Sequence, residues 1–403
     1  MAKLIQPTTP EHLSQVKQLI IEYASWLEVD LCFQGFQEEL ATFPGSYVPP
    51  KGSLLLAIEE GQPVGCVALH EFESGIAEMK RLFVRPAFRG KHIGRQLAQG
   101  IIDEARRIGY TRLRLDTLTT LREANELYRS LGFHPCDSYR YNPLEEVVFL
   151  ELDLSPIQVY KVSGTDLDDA EFSQRFAQSI AGVMRTSARP IVVHGGGKEL
   201  TTLLKAFQIE SHFVDGLRVT DVRTRDAALM TLSGLANKRL VANLLSEGVD
   251  ALGVSGVDAG LVRVAPVDKT LQYVGKPVKV RTELLDQWLQ AGLVPVIAPM
   301  SIGQDGEIYN VNADHVAGAV AVALDASLLT FVTNVDAVLD GNQTPITSLK
   351  AEEAETLISH GTVSGGMIPK VQTALEALRN GVRQVRITSL EGIQTGQGTT
   401  FTL

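Results

Sequence analysis

No run of lysines or arginines occurs in this sequence, and its formal net charge is −10. Binding to nucleic acid depends on concentrated positive charge, so the composition argues against nucleic acid as the main ligand. An acidic average does not exclude small anionic ligands, because these need only a few local donors. The charge pattern therefore favours small-molecule partners.

Long apolar runs and paired cysteines are also missing. No apolar run approaches the roughly 18 residues that a membrane span needs, and the stretch MAKLIQPTTPEHL lacks the apolar core of a signal peptide. Cys32, Cys66 and Cys136 show no CxxC spacing, which favours reduced structural thiols and offers no metal site. These absences predict a cytoplasmic protein with no membrane contact.

The length indicates two domains, since 403 residues exceed what one ordinary core accommodates. The first part follows the order helix, hairpin, strand, helix, strand, helix, strand. After Pro156 a pattern of strand, glycine loop and helix repeats, which is typical of a mostly parallel open sheet with helices on both faces. We place the boundary at 153–156, with domains at 1–154 and 157–403.

The stretch KRLFVRPAFRGKHIGRQLAQGIIDEAR, residues 80–106, predicts a strand, a sharp turn and a long helix. The turn supplies consecutive backbone N–H groups at a helix N-terminus, where the macrodipole favours an anion, and Arg89 and Lys91 add positive charge. The pattern predicts a pyrophosphate site. An ordinary turn with solvated basic residues is the alternative.

The same stretch resembles the acetyl-CoA-binding signature of the GNAT acetyltransferases, since Arg89 and Gly94 match its ends, while His92 stands where glycine is usual. A second segment, NELYRSLGF, is similar to another GNAT motif, and the element order resembles that fold, a mixed sheet with helices, through residue 154. The resemblance implies acetyl-CoA contacts from Phe83, Val84, Arg89, Gly90, Lys91, His92, Ile93, Gly94 and Asn125.

Acetyl transfer to an amine needs a base for the nucleophile and benefits from an acid for the departing thiolate. The resemblance assigns the acid to Tyr128, with a packing tyrosine as the alternative. Glu78 is a candidate base acting through water, and its alternative is a surface carboxylate paired with Lys80. The acceptor pocket is expected to include the loop 33–50.

The stretch HGGGKEL, residues 194–200, ends a buried strand and is not a Walker loop, because Val192 and Glu199 occupy positions where that motif needs glycine and serine or threonine. Further along the chain, YKVSG, VDGLRVTD, YNVNADHVAGAVA and SGGMIPKV carry isolated basic, amide and acidic residues. These residues are Lys161, Arg218, Asn310, Asp314 and Lys370.

This ordered set resembles the amino-acid kinase family and, within it, the N-acetylglutamate kinases, from about residue 157 to 403. Phosphoryl transfer to a carboxylate needs no base, only alignment and positive charge. The resemblance implies that Lys161 and Lys370 supply that charge, and that Asp314 orients both. Substrate contacts are expected from Gly196, Gly197, Arg218 and Asn310, and nucleotide contacts from Gly164, Asn334, Val335, Asp336, Ala337, Val338, Leu339, Thr362, Val363 and Ser364.

The chain departs from the kinase pattern at Ser163, Asn334 and Ala337, which puts nucleotide affinity in question more than reaction type. A side chain at Ser163 is expected to crowd the phosphates. Lys198 replaces a common proline.

Together the two resemblances imply a bifunctional enzyme of arginine biosynthesis that uses acetyl-CoA, ATP and Mg²⁺. Its substrates would be glutamate and N-acetylglutamate, and it would form a homo-oligomer through the kinase domain. Two alternatives remain open. In one, an active kinase carries a GNAT domain with an unrelated acceptor. In the other, a kinase-like domain senses arginine and regulates the GNAT domain, although the retained lysines, Asp314 and the domain order count against it.

Overall fold

The computed structural model describes most of the chain and excludes the side chains of residues 165 and 166. The described residues are 2–27, 29, 35–144, 146–167, 169–186, 188–214, 216–363 and 367–403. Within them the chain divides into two compact units, Met1–Ser155 and Pro156–Leu403. No helix of this described part has the length and apolar content to cross a membrane.

The N-terminal unit is built on one mixed sheet. Its elements are β1 (Lys3–Ile5), α1 (Pro10–Leu27), α2 (Phe36–Thr42), β2 (Ser53–Glu59), β3 (Gln62–Glu73), β4 (Ile76–Val84), α3 (Ile93–Ile108), β5 (Arg112–Leu118), α4 (Arg122–Ser130), β6 (His134–Pro135) and β7 (Val147–Asp153). In the described residues the strand order is β1-β2-β3-β4-β5-β7-β6. β4 and β5 run parallel and their neighbours antiparallel, which confirms the predicted mixed sheet.

Helices cover both faces of this sheet, because successive side chains of a strand point to opposite faces. Leu54 and Leu56 of β2 pack with α1, whereas Leu55 and Ala57 pack with α3. The strand is therefore apolar at nearly every position and reads as a continuous aliphatic run.

A gap opens between β4 and β5. The two strands pair only from residues 76–78 to residues 112–114, although both continue beyond that point. Arg81, next to the gap, has a positive φ of 57°, opposite a register shift in β3 between Cys66 and Ala68. The irregular backbone re-aims the side chains that follow it.

The C-terminal unit is a larger sheet with helices on both faces. Its elements are β8 (Ile157–Val162), α5 (Gly164–Leu167), α6 (Ala170–Met184), β9 (Arg189–His194), α7 (Gly197–Ala206), β10 (Phe213–Val214), β11 (Leu217–Arg218), α8 (Val222–Ala228), α9 (Asn237–Ser246), β12 (Ala251–Gly256), β13 (Val262–Pro266), β14 (Gly275–Val280), α10 (Thr282–Gln290), β15 (Val294–Gly303), β16 (Ile308–Asn310), α11 (Ala313–Ala323), β17 (Leu328–Val332), β18 (Val338–Leu339), β19 (Pro345–Ile346), β20 (Ser348–Lys350), α12 (Ala351–Ser359), α13 (Met367–Arg379), β21 (Val385–Thr388), α14 (Leu390–Thr395) and β22 (Thr399–Thr402).

The central strands of this sheet, β15-β9-β8-β17-β21, are parallel. One face packs against α10, α11 and α13, and the other against α6, α9 and α14. This arrangement confirms the predicted fold class. Ligands in such sheets bind beyond the carboxyl ends of the strands, so a ligand site is expected at the loops after β8 and β9.

The loops after β8 and β9 are in direct backbone contact. A Cβ atom on Gly164 would lie 2.1 Å from the amide nitrogen of Gly196, which excludes any side chain there. A Cβ atom on Gly196 would lie 2.4 Å from Cδ2 of Leu232. Leu232 belongs to a π-helix, Leu229–Ala236, that joins α8 to α9. These two close contacts account for glycine at positions 164 and 196 whether or not a ligand binds there.

Candidate active sites

The glycine loops border a cavity of about 410 Å³, which we call the glycine-loop cavity. It lies at the carboxyl ends of β8 and β9 and at the N-terminus of α7, whose unpaired N–H groups favour an anion. Its walls include several of the sequence-predicted residues. They are Lys161, Gly164, Gly196, Gly197, Arg218 and Asn310.

A second cavity of about 330 Å³, the Lys370 cavity, adjoins the first. Its walls include Asp314, Thr333, Asn334 and Lys370. Lys161 and Ser163 line both cavities. A group that passes between ligands in the two cavities would therefore pass the Lys161 ammonium group.

Asp314 lies in the first turn of α11, where its backbone N–H donates to Oδ1 of the N-cap residue Asn312 at 2.8 Å. Its carboxylate lies 2.9 Å from Nζ of Lys161. The ammonium group of Lys370 instead contacts the hydroxyl of Thr333 and, at 3.3 Å, Oδ1 of Asn334. The structure thus records a partner for each lysine, and sequence analysis missed Thr333.

Arg218 presents a guanidinium group whose recorded hydrogen bonds go to uncharged atoms. It donates to the Thr201 hydroxyl at 2.8 Å and to the Ser211 hydroxyl, and it stacks on the Phe213 ring at 4.7 Å. Burial lowers the pKa of Arg218, but the group stays charged near neutrality. Its charge is available to a ligand carboxylate.

Asn310, on the same cavity wall, donates from Nδ2 to Oγ1 of Thr220 at 3.3 Å. Thr220 is fully buried, and its hydroxyl donates to the carbonyl of Arg218 at 2.9 Å. This chain of hydrogen bonds fixes both substrate-side residues relative to each other.

His194, at the end of β9, is fully buried beneath the glycine loop. Its Nε2 lies 3.1 Å from the amide nitrogen of Asn237, which donates also to the carbonyl of Val296 at 2.9 Å. Because an amide nitrogen can only donate, Nε2 accepts, and Nδ1 donates to the Gly195 carbonyl at 2.9 Å. Burial lowers the pKa of His194 to about 4, so the imidazole is neutral at pH 7.

The predicted nucleotide residues divide into two groups. Asn334 lines the Lys370 cavity, and Gly164 lines the glycine-loop cavity. Ala337, Val338 and Val363 have buried side chains, and the backbone N–H groups of Val338 and Val363 donate to the Thr399 hydroxyl and the Leu357 carbonyl.

The remaining residues predicted to contact the nucleotide are less buried. Val335 is partly buried against the core, and Asp336, Leu339 and Thr362 keep exposed surface. Ser364 lies outside the described residues.

In the N-terminal unit a cavity of about 840 Å³, the Tyr128 cavity, lies beside the turn before α3. Most of the residues predicted to contact acetyl-CoA line it. They are Phe83, Val84, Arg89, Gly90, His92, Ile93 and Gly94. The cavity runs along the end of β4 and the first turn of α3 to the Tyr128 side chain.

Two predicted acetyl-CoA residues are absent from the described wall of this cavity. Lys91 forms an ion pair with Glu59 at 3.2 Å. Asn125 donates its side-chain amide to the carbonyls of Leu118 and Leu121, at 2.8 and 2.9 Å, and so holds the turn before α4. In both cases a partner within the protein occupies the side chain that sequence analysis gave to the ligand.

The turn itself has a strained residue. His92 precedes α3 with a φ of 61°, a left-handed conformation that favours glycine. This backbone explains why the signature has glycine at that position. Arg89 stacks on the Trp26 ring at 4.1 Å and donates to the carbonyl of Val84 at 3.2 Å.

Tyr128 lines its cavity with only 7% of its surface exposed, and its ring packs edge-on against Phe133 at 5.7 Å. Burial raises the pKa of the Tyr128 hydroxyl. The group is therefore protonated at every physiological pH and can act only as a donor at the start of a reaction.

Glu78 is fully buried, so the alternative of a surface carboxylate is wrong. It accepts hydrogen bonds from Tyr139 at 2.9 Å and Arg140 at 3.1 Å, and lies 2.9 Å from Nε2 of His70. Burial opposes ionisation, but the His70 hydrogen bond and the charges of Lys80 and Arg140 outweigh it and hold the pKa of Glu78 below its usual value.

The two units define two classes of transferase. A parallel sheet whose glycine loops and lysines border adjoining cavities is suited to phosphoryl transfer, and the amino acid kinase family model matches residues 156–389. The chain belongs to the amino acid kinase family. The acetyltransferase (GNAT) family model matches residues 18–133. Both resemblances found in the sequence are confirmed.

The relatives that are similar to this chain over about the length of its C-terminal unit include acetylglutamate kinases. The chain is 49% identical to the acetylglutamate kinase of Roseiflexus sp. (strain RS-1) over 252 residues, which is 62% of this chain and 94% of that protein. It is 45% identical to the acetylglutamate kinase of Methanopyrus kandleri over 253 residues, 60% of this chain and 99% of that protein.

A solved structure adds a second likeness. It is an N-acetylglutamate synthase from Neisseria gonorrhoeae complexed with coenzyme A and N-acetyl-glutamate, 26% identical, with a TM-score of 0.53. The match covers 62% of this chain and 59% of that chain.

Proposed function

We propose that this chain is a bifunctional enzyme of arginine biosynthesis. Its N-terminal unit transfers the acetyl group of acetyl-CoA to glutamate. Its C-terminal unit uses ATP to phosphorylate the side-chain carboxylate of N-acetylglutamate, giving N-acetylglutamyl 5-phosphate. The near-complete coverage of acetylglutamate kinases, the GNAT match and the synthase likeness support this pairing. The observation that carries the kinase half is the position of Lys161 on the walls of two adjoining cavities.

In the kinase half, N-acetylglutamate occupies the glycine-loop cavity. Arg218 binds the α-carboxylate through its planar fork, and Asn310 hydrogen-bonds the acetamido group. The backbone N–H groups of Gly196 and Gly197, at the start of α7, receive the reacting carboxylate. That carboxylate is already anionic, so no base is required and alignment limits the reaction.

The phosphates of ATP occupy the Lys370 cavity. Lys161 and Lys370 stabilise the charge that spreads over the transferring phosphoryl group, and Asp314 holds Lys161 in place. The described residues contain no group of three or more His, Cys, Asp or Glu side chains placed to hold a metal ion. We expect Mg²⁺ to enter with ATP as the MgATP substrate, because Mg²⁺ at such sites is bound through few protein ligands together with substrate phosphates.

In the acetyltransferase half, the pyrophosphate of acetyl-CoA binds at the turn of residues 89–94, and the thioester reaches Tyr128. The buried Tyr128 hydroxyl donates its proton to the departing thiolate. Glu78 is the proposed acceptor of the amine proton. Its carboxylate is outside the described wall of the Tyr128 cavity, so the proton reaches it through water.

We also propose that the chain forms a homo-oligomer through its C-terminal unit. Met230 and Leu235, on the π-helix, expose more than half of their surface, as does Phe213. Large exposed apolar side chains on one unit favour contact with a second copy. Met230→Glu with Leu235→Glu should lower the mass measured by light scattering, and an unchanged mass would contradict this interface.

A coupled assay tests the whole proposal. The intact chain, given glutamate, acetyl-CoA, ATP and Mg²⁺, should form an acyl phosphate that hydroxylamine traps as a hydroxamate. Omitting acetyl-CoA should abolish the product, while phosphorylation of supplied N-acetylglutamate continues. A chain that phosphorylates supplied N-acetylglutamate but forms no hydroxamate from glutamate would be a kinase with an unrelated acetyl acceptor.

A further inference from the structure

The last two turns of α1 contact two arginines near the turn before α3, and they do so in different ways. Glu22 and Trp26 lie four residues apart on one face of this helix. Glu22 forms an ion pair with Arg85 at 2.8 Å, whereas the guanidinium carbon of Arg89 lies 4.1 Å from the centroid of the Trp26 ring. One arginine is therefore held by an opposite charge and the other by a neutral ring.

A neutral ring holds a guanidinium group without cancelling its charge. Among the described residues no carboxylate lies within ion-pair distance of Arg89, and its recorded hydrogen bond, to the Val84 carbonyl, uses one of five N–H donors. A guanidinium that is stacked on an aromatic face keeps the N–H groups at its edge for hydrogen bonding. The remaining donors of Arg89 are therefore suited to an anion.

The Trp26 ring is itself held in place by aromatic neighbours. It lies 6.2 Å from the Phe83 ring, which lies 5.9 Å from the ring of Tyr23, one turn earlier on α1. Phe83 is buried, whereas Trp26 keeps 39% of its surface exposed. Trp26, Phe83 and Arg89 all line the Tyr128 cavity. The stacked pair thus lies where the phosphates of acetyl-CoA are proposed to bind.

We propose that Trp26 is a positioning residue for the pyrophosphate of acetyl-CoA, because it holds the Arg89 guanidinium beside the turn of residues 89–94. The inference rests on the acetyltransferase function proposed above and deepens it by adding α1 to the cofactor site. It does not depend on which amine accepts the acetyl group.

A ring at position 26 serves this role better than other side chains. A carboxylate there would pair with Arg89, as Glu22 pairs with Arg85, and a phosphate would have to break that ion pair before binding. An aliphatic side chain would leave the exposed arginine free to change rotamer, and ordering it would then weaken cofactor binding. The ring orders the guanidinium in advance and keeps its charge.

Calorimetry with coenzyme A and the intact chain tests the proposal. Arg89→Met should raise Kd about tenfold or more, since a charge-assisted hydrogen bond is lost. Trp26→Leu should raise Kd about threefold to tenfold, and Trp26→Phe should raise it less. Trp26→Glu should raise Kd more than Trp26→Leu does, because the new carboxylate neutralises Arg89. Kinase turnover should be the same in all four variants.

Glu22→Gln is the matched control. It removes an ion pair from the same face of α1, and neither Glu22 nor Arg85 is among the described residues that line the Tyr128 cavity. Kd for coenzyme A should therefore stay at the wild-type value. A rise as large as that in Trp26→Leu would assign the effect to the docking of α1 and overturn the inference.

A double-mutant cycle separates positioning from packing. If Trp26 acts through Arg89, Trp26→Leu should have no further effect on Kd once Arg89→Met is present. Additive effects, or wild-type affinity in Trp26→Leu, would overturn the inference while the proposed acetyltransferase stands. A wild-type chain that does not bind coenzyme A would overturn both.

The fluorescence of Trp26 tests the same contact with the tryptophan in place, which covers the case of a Trp26→Leu chain that does not fold. Trp288→Phe leaves Trp26 as the single tryptophan of the chain. Coenzyme A should change its emission with the Kd found by calorimetry, and inorganic pyrophosphate should do so at higher concentration. Arg89→Met should abolish the response to pyrophosphate. An emission that neither ligand changes, or a pyrophosphate response that persists in Arg89→Met, would overturn the inference.

Discussion

The two units arrange charge in opposite ways around their cavities. In the C-terminal unit, cationic side chains stand at the cavity walls, and Lys161 keeps 18% of its side-chain surface exposed beside Asp314. In the N-terminal unit, the proposed acid is a neutral hydroxyl, that of Tyr128, and the proposed base, Glu78, is fully buried and accepts hydrogen bonds from Tyr139 and Arg140.

The contrast follows from what each reaction does with protons. Phosphoryl transfer to a carboxylate moves negative charge and no proton, so fixed cations are sufficient. Acetyl transfer to an amine must move protons, so a group is needed whose burial keeps it protonated until the thiolate leaves. Burial therefore keeps the proposed acid of the N-terminal unit protonated, whereas partial exposure leaves the cations of the C-terminal unit accessible to a ligand.

The largest effect is expected at the cation shared by two cavities. Lys161→Met should lower kcat for phosphorylation of N-acetylglutamate about a hundredfold or more, because a charge matched to the transition state is lost. KM should change less, and thiol release by the other unit should be unaffected. Lys205→Met, an exposed lysine at the end of α7, is the control. Near wild-type turnover in Lys161→Met would remove Lys161 from the mechanism.

The counterpart in the N-terminal unit is a single hydroxyl. Tyr128→Phe keeps the packing against Phe133 and should lower the rate of acetyl transfer about tenfold to a thousandfold. Acetyl-CoA affinity, measured by calorimetry, and kinase turnover should persist. Full thiol-release activity would assign the acid to another group.

Arg218 tests whether substrate binding in the C-terminal unit also depends on charge. Arg218→Ala should raise KM for N-acetylglutamate about tenfold to a hundredfold and change kcat less, since the lost contact is present before and during the reaction. Arg218→Lys should recover only part, because lysine lacks the planar fork. An effect confined to kcat would contradict a binding role.

The neutral His194 predicts a pH effect on stability. Its pKa of about 4 in the folded chain lies below the 6.5 of an unperturbed histidine. The unfolded state therefore takes up the proton first, and this contribution is complete above about pH 6.5 and is lost as the pH falls toward 4. Between pH 7 and pH 5 the loss should be about 2 kcal/mol.

Urea unfolding followed by the fluorescence of Trp288, in a Trp26→Phe background, measures this slope in the C-terminal unit. His194→Gln should be less stable at pH 7 and should flatten the slope. An identical slope in both proteins would place the titration elsewhere.

The smallest effect is expected at Lys91. Its ion pair with Glu59 contributes little, because Lys91 is half-exposed, and Lys91 is not among the described residues that line the Tyr128 cavity. Lys91→Ala should change KM for acetyl-CoA by no more than about twofold. A tenfold rise in KM for acetyl-CoA, found in thiol-release assays at both of two salt concentrations, would show that Lys91 leaves Glu59 to bind the cofactor.

The elements that sequence analysis located are those with a clear apolar period. α1 covers the stretch PEHLSQVKQLIIEYASWL, whose apolar residues recur with a helical period, and β8 and β9 follow their aliphatic runs, because both signals are local. The parallel order of the sheet also follows from the repeated pattern of strand, glycine loop and helix.

Side-chain assignments from the sequence are less complete where a partner within the protein competes with a ligand. Asn125 is taken by carbonyls of the preceding turn, and the role of His194 depends on Asn237, 43 residues further along the chain. Gly164 was assigned to ATP, but its backbone contact with Gly196 alone excludes a side chain. The contacts of His194 and Gly164 join distant parts of the chain and have no local sequence signal.

The π-helix at Leu229–Ala236 makes the geometry of the glycine-loop cavity depend on the number of residues in this segment as well as on their identity. Deleting one residue there would turn α9 by about 100° relative to α8. That rotation would carry Asn237 away from His194 and free the imidazole that orients the Gly195 carbonyl. Natural variation in this segment should therefore consist of substitutions, and insertions or deletions should be confined to the loops before α8 and after α9.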